Sequence, residues 1–164
     1  MRDHRYGTLD NTASLPSVEF ERTLDAPVDA VWAMLASEEG IAQWLAPARI
    51  DLSLGGSVEI DFGDGDVTGG EIIDLVPGVA LEYNWRFTGE PASIVRFELE
   101  AIDERTTKLR LRHRMLPINQ ATGYGAGWHA HLDQLEAAVT GRNPIEWADR
   151  FSAVLPEYEG QTAN

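Results

Sequence analysis

Hydrophobic and polar residues change their spacing several times along this chain, and each change marks a predicted element. Between Gly123 and Gly141, the residues Trp128, Leu132, Leu135 and Val139 recur at i, i+4, i+7 and i+11, one apolar stripe at helical period. His129, Asp133, Glu136 and Thr140 fall mainly away from it, so the spacing predicts a long helix with His129 facing solvent. Gly141 stands where a left-handed C-terminal cap is expected. Upstream the period is mostly two. Val18, Phe20, Arg22 and Leu24 alternate with Glu19, Glu21 and Thr23. Val58, Ile60 and Phe62 lead into the turn Gly63-Asp64-Gly65-Asp66, and Val67 to Val76 returns as the partner strand. Three further rows follow: Leu81, Tyr83, Trp85 and Phe87; Val95, Phe97, Leu99 and Ala101; Leu109, Leu111, His113 and Met115. Such alternation gives each strand one buried and one solvated face, the antiparallel signature.

Two short helices interrupt the strands. Val28, Val31, Trp32 and Leu35 share a face behind Pro27, and Ser37 is placed to cap a second segment carrying Ile41, Trp44 and Leu45, which Pro47 ends. After the long helix, Asn143-Pro144 opens another short segment with Trp147, Phe151 and Val154 or Leu155 at helical spacing. The order is strand, two short helices, five strands, long helix, extension. A long helix after several strands predicts an α+β domain whose antiparallel sheet lays one face on that helix. Residues 1–16 are expected to be a loose polar arm, 17–141 the domain, and 142–164 a helical extension and tail.

Composition narrows the function. A chain of 164 residues with 43% hydrophobic residues is one domain with a core. A net charge of −14 argues against binding nucleic acid or an anionic membrane through a basic face. The absence of cysteine excludes disulfides, thiolate catalysis and thiolate metal sites. No apolar stretch is long enough to span a bilayer, and MRDHRYGTLDN has no signal-like hydrophobic region, so a cytoplasmic protein without membrane insertion is expected.

Several positions, taken in order, carry a family resemblance. They are Asp25-Ala26-Pro27 followed by Val31-Trp32, then Trp44, Gly55-Gly56, and Pro77-Gly78 with Leu81 and Trp85. Thr107 and Leu109 in the last strand, then Gly127-Trp128 with Leu132 and Leu135, complete the series. The chain resembles the helix-grip proteins of the SRPBCC group, which includes START, birch-pollen-allergen-like and polyketide-cyclase proteins. Within it the likeness is to the AHSA-type branch, named for activators of a heat-shock ATPase chaperone. The resemblance implies a curved antiparallel sheet of about six strands wrapped around the long C-terminal helix, with a cavity between them. It implies no universal catalytic residues, and fold alone does not assign function.

The alternation sends Phe62, Tyr83, Trp85, Phe97, His113, Met115 and Trp128 to the inward side, joined by Trp44 from the second short helix. Tyr124 at the start of the long helix and His131 near its apolar stripe complete the cavity candidates. Aromatic walls with a few polar tips suit a small hydrophobic, amphipathic or aromatic ligand, and binding or carriage of one is the expected function. The same side chains also suit a plain core. A cyclase- or hydratase-like enzyme using His113 with Tyr83 or His131 is one alternative, and a regulator of a chaperone ATPase, implied by the branch name, is another.

Other motifs have plainer readings. His129 and His131 point about 200° apart on a helix, so no metal is expected there. Asp61, Asp64 and Asp66 miss calcium-loop spacing and suit a turn. The glycines at 123, 125 and 127 lack the context of a nucleotide loop and suit close backbone approach instead. No cofactor is expected. Arg110, Arg112 and Arg114 form an outward row expected to pair with Glu98 and Glu100. Trp147, Phe151 and Leu155 fit three roles: covering the cavity, packing on the sheet, or forming a homodimer face.

Overall fold

A computed structural model describes residues 4–162. Its strands are β1 (Thr8–Asp10), β2 (Ser17–Leu24), β3 (Ala48–Ile50), β4 (Ser57–Gly63), β5 (Asp66–Val76), β6 (Ala80–Phe87), β7 (Ser93–Asp103) and β8 (Thr106–Arg114). The helices are α1 (Val28–Ala36), α2 (Glu38–Trp44), α3 (Ala121–Thr140) and α4 (Trp147–Thr162). One sheet runs β1-β2-β8-β7-β6-β5-β4-β3, with every neighbouring pair antiparallel. Because β2 pairs with β8, the chain's second strand is carried across to the far side of the hairpin series. The helices α1 and α2 make that crossing. Register shifts in β4–β5, β5–β6 and β7–β8 add local twist, which curves the sheet around α3. This is the helix-grip architecture.

The inward rows behave as their alternation requires. Phe20, Leu81, Phe97, Leu109 and Leu111 are all but inaccessible, and they meet Trp128, Leu132 and Leu135 from α3. Each such side chain contributes about 1.5–3 kcal/mol by leaving water. Ser37 caps α2 as expected, its Oγ accepting the Gly40 amide at 3.0 Å. Gly141 ends α3 with φ 71°.

Four differences from the sequence expectation matter. The sheet has eight strands because β1 and β3 add themselves to its edges. Each is three residues long, too short to display a period, and β1 lies in the stretch read as a loose arm. The extension is also longer than expected: α4 covers 16 residues and continues through Pro156.

Met115 does not continue the inward row. Strand β8 ends at Arg114, Met115 takes the left-handed φ of 61°, and its side chain is 46% exposed. That reversal delivers Leu116 to the core instead, with its amide donating to Pro16 O at 2.9 Å.

The outward arginines are also paired differently. Arg110 meets Glu21 of β2 at 3.2 Å and Arg114 meets Glu82 of β6 at 3.3 Å, while Glu98 is held by Arg96 on its own strand at 3.0 Å. The first is a directly opposed pair across β2 and β8, and the second reaches over β7 to the second neighbour strand.

Candidate functional site: an aromatic cleft closed by the C-terminal helix

An open-mouthed cleft of about 720 Å³ lies between the β4–β6 end of the sheet and α3. Helical spacing brings Tyr124, Trp128 and His131 of α3, at i, i+4 and i+7, to one wall. Phe62 of β4 and Trp85 and Phe87 of β6 form the opposite wall; the Phe62 ring centroid lies 6.0 Å from that of Trp85 and 6.1 Å from that of Phe87. Trp147 and Phe151 of α4, stacked on each other at 5.0 Å, close one side. Trp147 also lies 5.3 Å from His131, and its indole N–H donates to Gly127 O at 3.3 Å.

Five of the sequence candidates therefore border the cleft: Phe62, Trp85, Tyr124, Trp128 and His131. Trp44, Tyr83, Phe97 and His113 do not; they lie in the packed core behind it, and Met115 is at the surface. Trp44 packs edge-on against Phe97, its indole N–H bound by Met34 O at 2.7 Å. Burial pushes the Tyr83 phenol pKa up, which removes it as a base near neutral pH. Sequence reasoning left out Phe87, although it continues the Trp85 row. It also left the role of Trp147 and Phe151 open.

His113 is a core residue with both nitrogens occupied. The Trp128 indole N–H donates to its Nδ1 at 2.9 Å, which makes Nδ1 an acceptor and leaves the proton on Nε2. That nitrogen lies 2.7 Å from Ser93 Oγ, and Ser93 in turn donates to Trp85 O at 3.3 Å. Burial lowers the His113 pKa to about 3, so the ring is neutral. The Tyr124 ring packs on it at 4.8 Å rather than bonding to it. This chain of bonds ties β8, β7, β6 and α3 together directly behind the cleft wall.

The polar side chains bordering the cleft are Asp61, Asp66 and Glu90, the amides of Gln120 and Gln134, the Tyr124 hydroxyl and His131. Tyr124 receives the Trp85 indole N–H at 3.0 Å and donates to Glu90 Oε1 at 2.5 Å. Burial first, then Glu90, raises the Tyr124 pKa, so it stays a donor. Asp61 and Asp66, which flank the Gly63–Gly65 turn, also reach the cleft. The turn reading of this segment is correct, and the segment is a rim as well. Burial outweighs the Trp44 backbone and the Gln134 side chain and lowers the His131 pKa to about 4; its buried Nδ1 has no hydrogen-bond partner among the described residues.

Behind α3 lies a second polar cluster, which holds α4 in place. His129 is fully buried rather than solvent-facing, because α4 covers that side of α3. Its Nδ1 lies 2.9 Å from the Tyr158 hydroxyl. Asp133 meets Arg22 of β2 at 2.8 Å and Arg150 of α4 at 2.6 Å. Burial would raise the Asp133 pKa, but the Arg22 charge and the Arg150 bond hold it below the usual carboxylate range. Burial, helped by Arg22, lowers His129 to about 4.

No helix among the described residues is long and apolar enough to cross a membrane. Comparison with curated proteins finds no match. Among solved structures, that of CalU16 from Micromonospora echinospora is similar with a TM-score of 0.79 at 22% identity, over 96% of both chains. The structure of DynU16, a protein in the dynemicin biosynthetic locus, gives a TM-score of 0.69 at 28% identity, over 77% of this chain and 48% of that one. The Aha1 dimer from Colwellia psychrerythraea gives 0.64 at 16% identity, over 75% of this chain and 95% of that one. Residues 25–140, from the end of β2 to the end of α3, match the family described as activator of Hsp90 ATPase homolog 1-like proteins. The chain belongs to that family, within the helix-grip SRPBCC group.

Proposed function

We propose that this chain binds a small, largely apolar or aromatic molecule in the cleft between β4–β6 and α3, with α4 closing one side. The observation that carries the reading is the lining: a space of about 720 Å³ to which Phe62, Phe87, Trp147 and Phe151 present ring surface, backed by the nearly buried Trp85 and Trp128. That volume lies in the range of small-molecule sites, and ring surface without polar partners is what such ligands displace water from. The acid–base alternative lacks its nominated group, since both nitrogens of His113 are engaged in the core. Binding or carriage is therefore favoured over catalysis.

The test is native mass spectrometry of the protein purified from the cells that make it, set against the denatured mass. A stoichiometric released compound supports the reading and names the compound's class. A protein that comes out empty, and that no aromatic probe enters at millimolar concentration, overturns it. Regulation of a chaperone ATPase, the reading suggested by the family description, would instead appear as stimulated ATP turnover by a purified chaperone.

A further inference from the structure

Resting on the cleft reading above, we infer that the preferred ligand is a cation: an aromatic or amphiphilic amine whose ammonium group lies against the ring faces and the Glu90–Asp61–Asp66 rim. Three observations converge. First, the charged side chains bordering the cleft are all acidic; among the described residues no lysine or arginine reaches it. Second, none of the three carboxylates is paired with a cation among the described residues, whereas Asp74 and Glu98 are held by Arg96, Glu21 by Arg110 and Glu82 by Arg114. An unneutralised acidic rim beside low-dielectric ring surface attracts a cation and repels an anion.

The third observation is orientation. Glu90 is held by the Tyr124 hydroxyl at 2.5 Å, and Tyr124 is itself fixed by the Trp85 indole N–H at 3.0 Å. The two aromatic walls thus aim one carboxylate, and the half-buried rings of Tyr124, Phe62, Phe87 and Trp147 offer π faces in the same cleft. Indole and phenol faces attract an ammonium group through their quadrupoles, and most strongly where water is excluded. A neutral hydrophobic ligand would use the rings and leave the carboxylates idle. A carboxylate-bearing ligand would meet three like charges and no cationic side chain, with only the neutral amides of Gln120 and Gln134 as donors.

The test compares three probes with one ring system: 2-naphthylmethylamine as the cation, 2-naphthalenemethanol as the neutral molecule, and 2-naphthoate as the anion. Binding is followed by calorimetry on the full chain at pH 7. The amine should bind at least about tenfold tighter than the alcohol, and the anion weakest. In Glu90→Gln, which keeps an oxygen for Tyr124, most of that preference should disappear while alcohol binding is retained. Equal affinity for amine and alcohol, or tighter naphthoate, overturns the charge inference and leaves the cleft reading standing. So does a preference that survives Glu90→Gln and an Asp61→Asn/Asp66→Asn variant but vanishes in salt, since that is the field of a chain of charge −14 acting at a distance. If no probe binds, the cleft reading falls with it.

Discussion

The hydroxyl of Tyr158 sits 2.9 Å from Nδ1 of His129 and accepts the Gly7 amide at 2.8 Å, so one oxygen joins α4, the middle of α3 and the N-terminal segment. Gln161, one turn on, repeats the attachment: its Oε1 accepts the Leu9 amide at 2.8 Å and its Nε2 donates to Gly7 O at 2.9 Å. Both β1 and α4 lie outside the residues that match the family. The two fasten each other, and α4 supplies Trp147 and Phe151 to the cleft.

Two substitutions test that attachment. Tyr158→Phe keeps the ring but removes the hydroxyl shared by the Gly7 amide and His129 Nδ1, at a cost of about 1–3 kcal/mol. Gly125→Ala attacks from the other side, because a Cβ there would sit 2.7 Å from the Tyr158 ring. In both variants α4 should exchange its amide hydrogens faster than α3, and Trp147 emission should shift to the red. Uniform protection across the chain would show that α4 does not depend on Tyr158.

The ion pairs around Asp133 make a sharper prediction. Arg22 is 3% exposed, with Asp133 as its nearest counter-charge. Asp133→Asn leaves that buried guanidinium with only the longer Glu136 contact at 3.9 Å as counter-charge and should cost up to about 3–5 kcal/mol by urea unfolding. Removing both charges, as in Arg22→Met/Asp133→Leu, should cost less than the single change. A double variant worse than Asp133→Asn would mean that the pair itself, rather than the unpaired charge, dominates.

These contacts also explain which parts could be read from the sequence. The rows at Phe20, Leu81, Val95 and Leu109, and the stripe from Trp128 to Val139, follow from periodicity because one burial surface imposes one period. The cleft wall at Tyr124, Trp128 and His131 obeys the same spacing. His129 and Asp133 mislead for a physical reason: their stripe is polar, yet a second helix covers it through hydrogen bonds and ion pairs. A covered polar stripe and a solvated one have the same composition. Met115 misleads because it fits the strand period by sequence but itself takes the left-handed turn that ends β8, which only backbone geometry reveals. Tyr83, Phe97 and His113 were rightly placed inward, but a cavity and the core behind it share one face, and alternation cannot separate them.

Acid should weaken the fold through its buried histidines. His113 is lowered to about 3, and His129 and His131 to about 4, against an unfolded value of about 6.5. The folded state thus binds fewer protons than the unfolded one between those limits, so stability is full above about pH 6.5 and falls as pH drops toward 4. Near pH 5, unfolding should take up about three protons from these side chains. Asp133, held below its ordinary value, adds a further loss at lower pH. Urea midpoints measured from pH 7.5 to 4.5 check this; a flat profile between 7 and 5 would mean the three rings are hydrated.

His113 and Trp147 should separate stability from binding in opposite directions. His113→Ala leaves the Trp128 indole N–H and the Ser93 hydroxyl short of a partner and opens a void in the core, at a cost of about 2–4 kcal/mol. The ring does not border the cleft, so affinity for a naphthyl probe should change little once the variant is folded. Trp147 is partly exposed and makes one long hydrogen bond at 3.3 Å, so Trp147→Ala should cost less stability. It removes a cleft wall and a stacking partner of Phe151, however, and should weaken probe binding by about tenfold or more. Calorimetry and urea unfolding on the two variants side by side decide the matter. If His113→Ala abolishes binding in a folded protein while Trp147→Ala leaves it intact, the ligand enters deeper toward the core, and α4 is a brace rather than a wall.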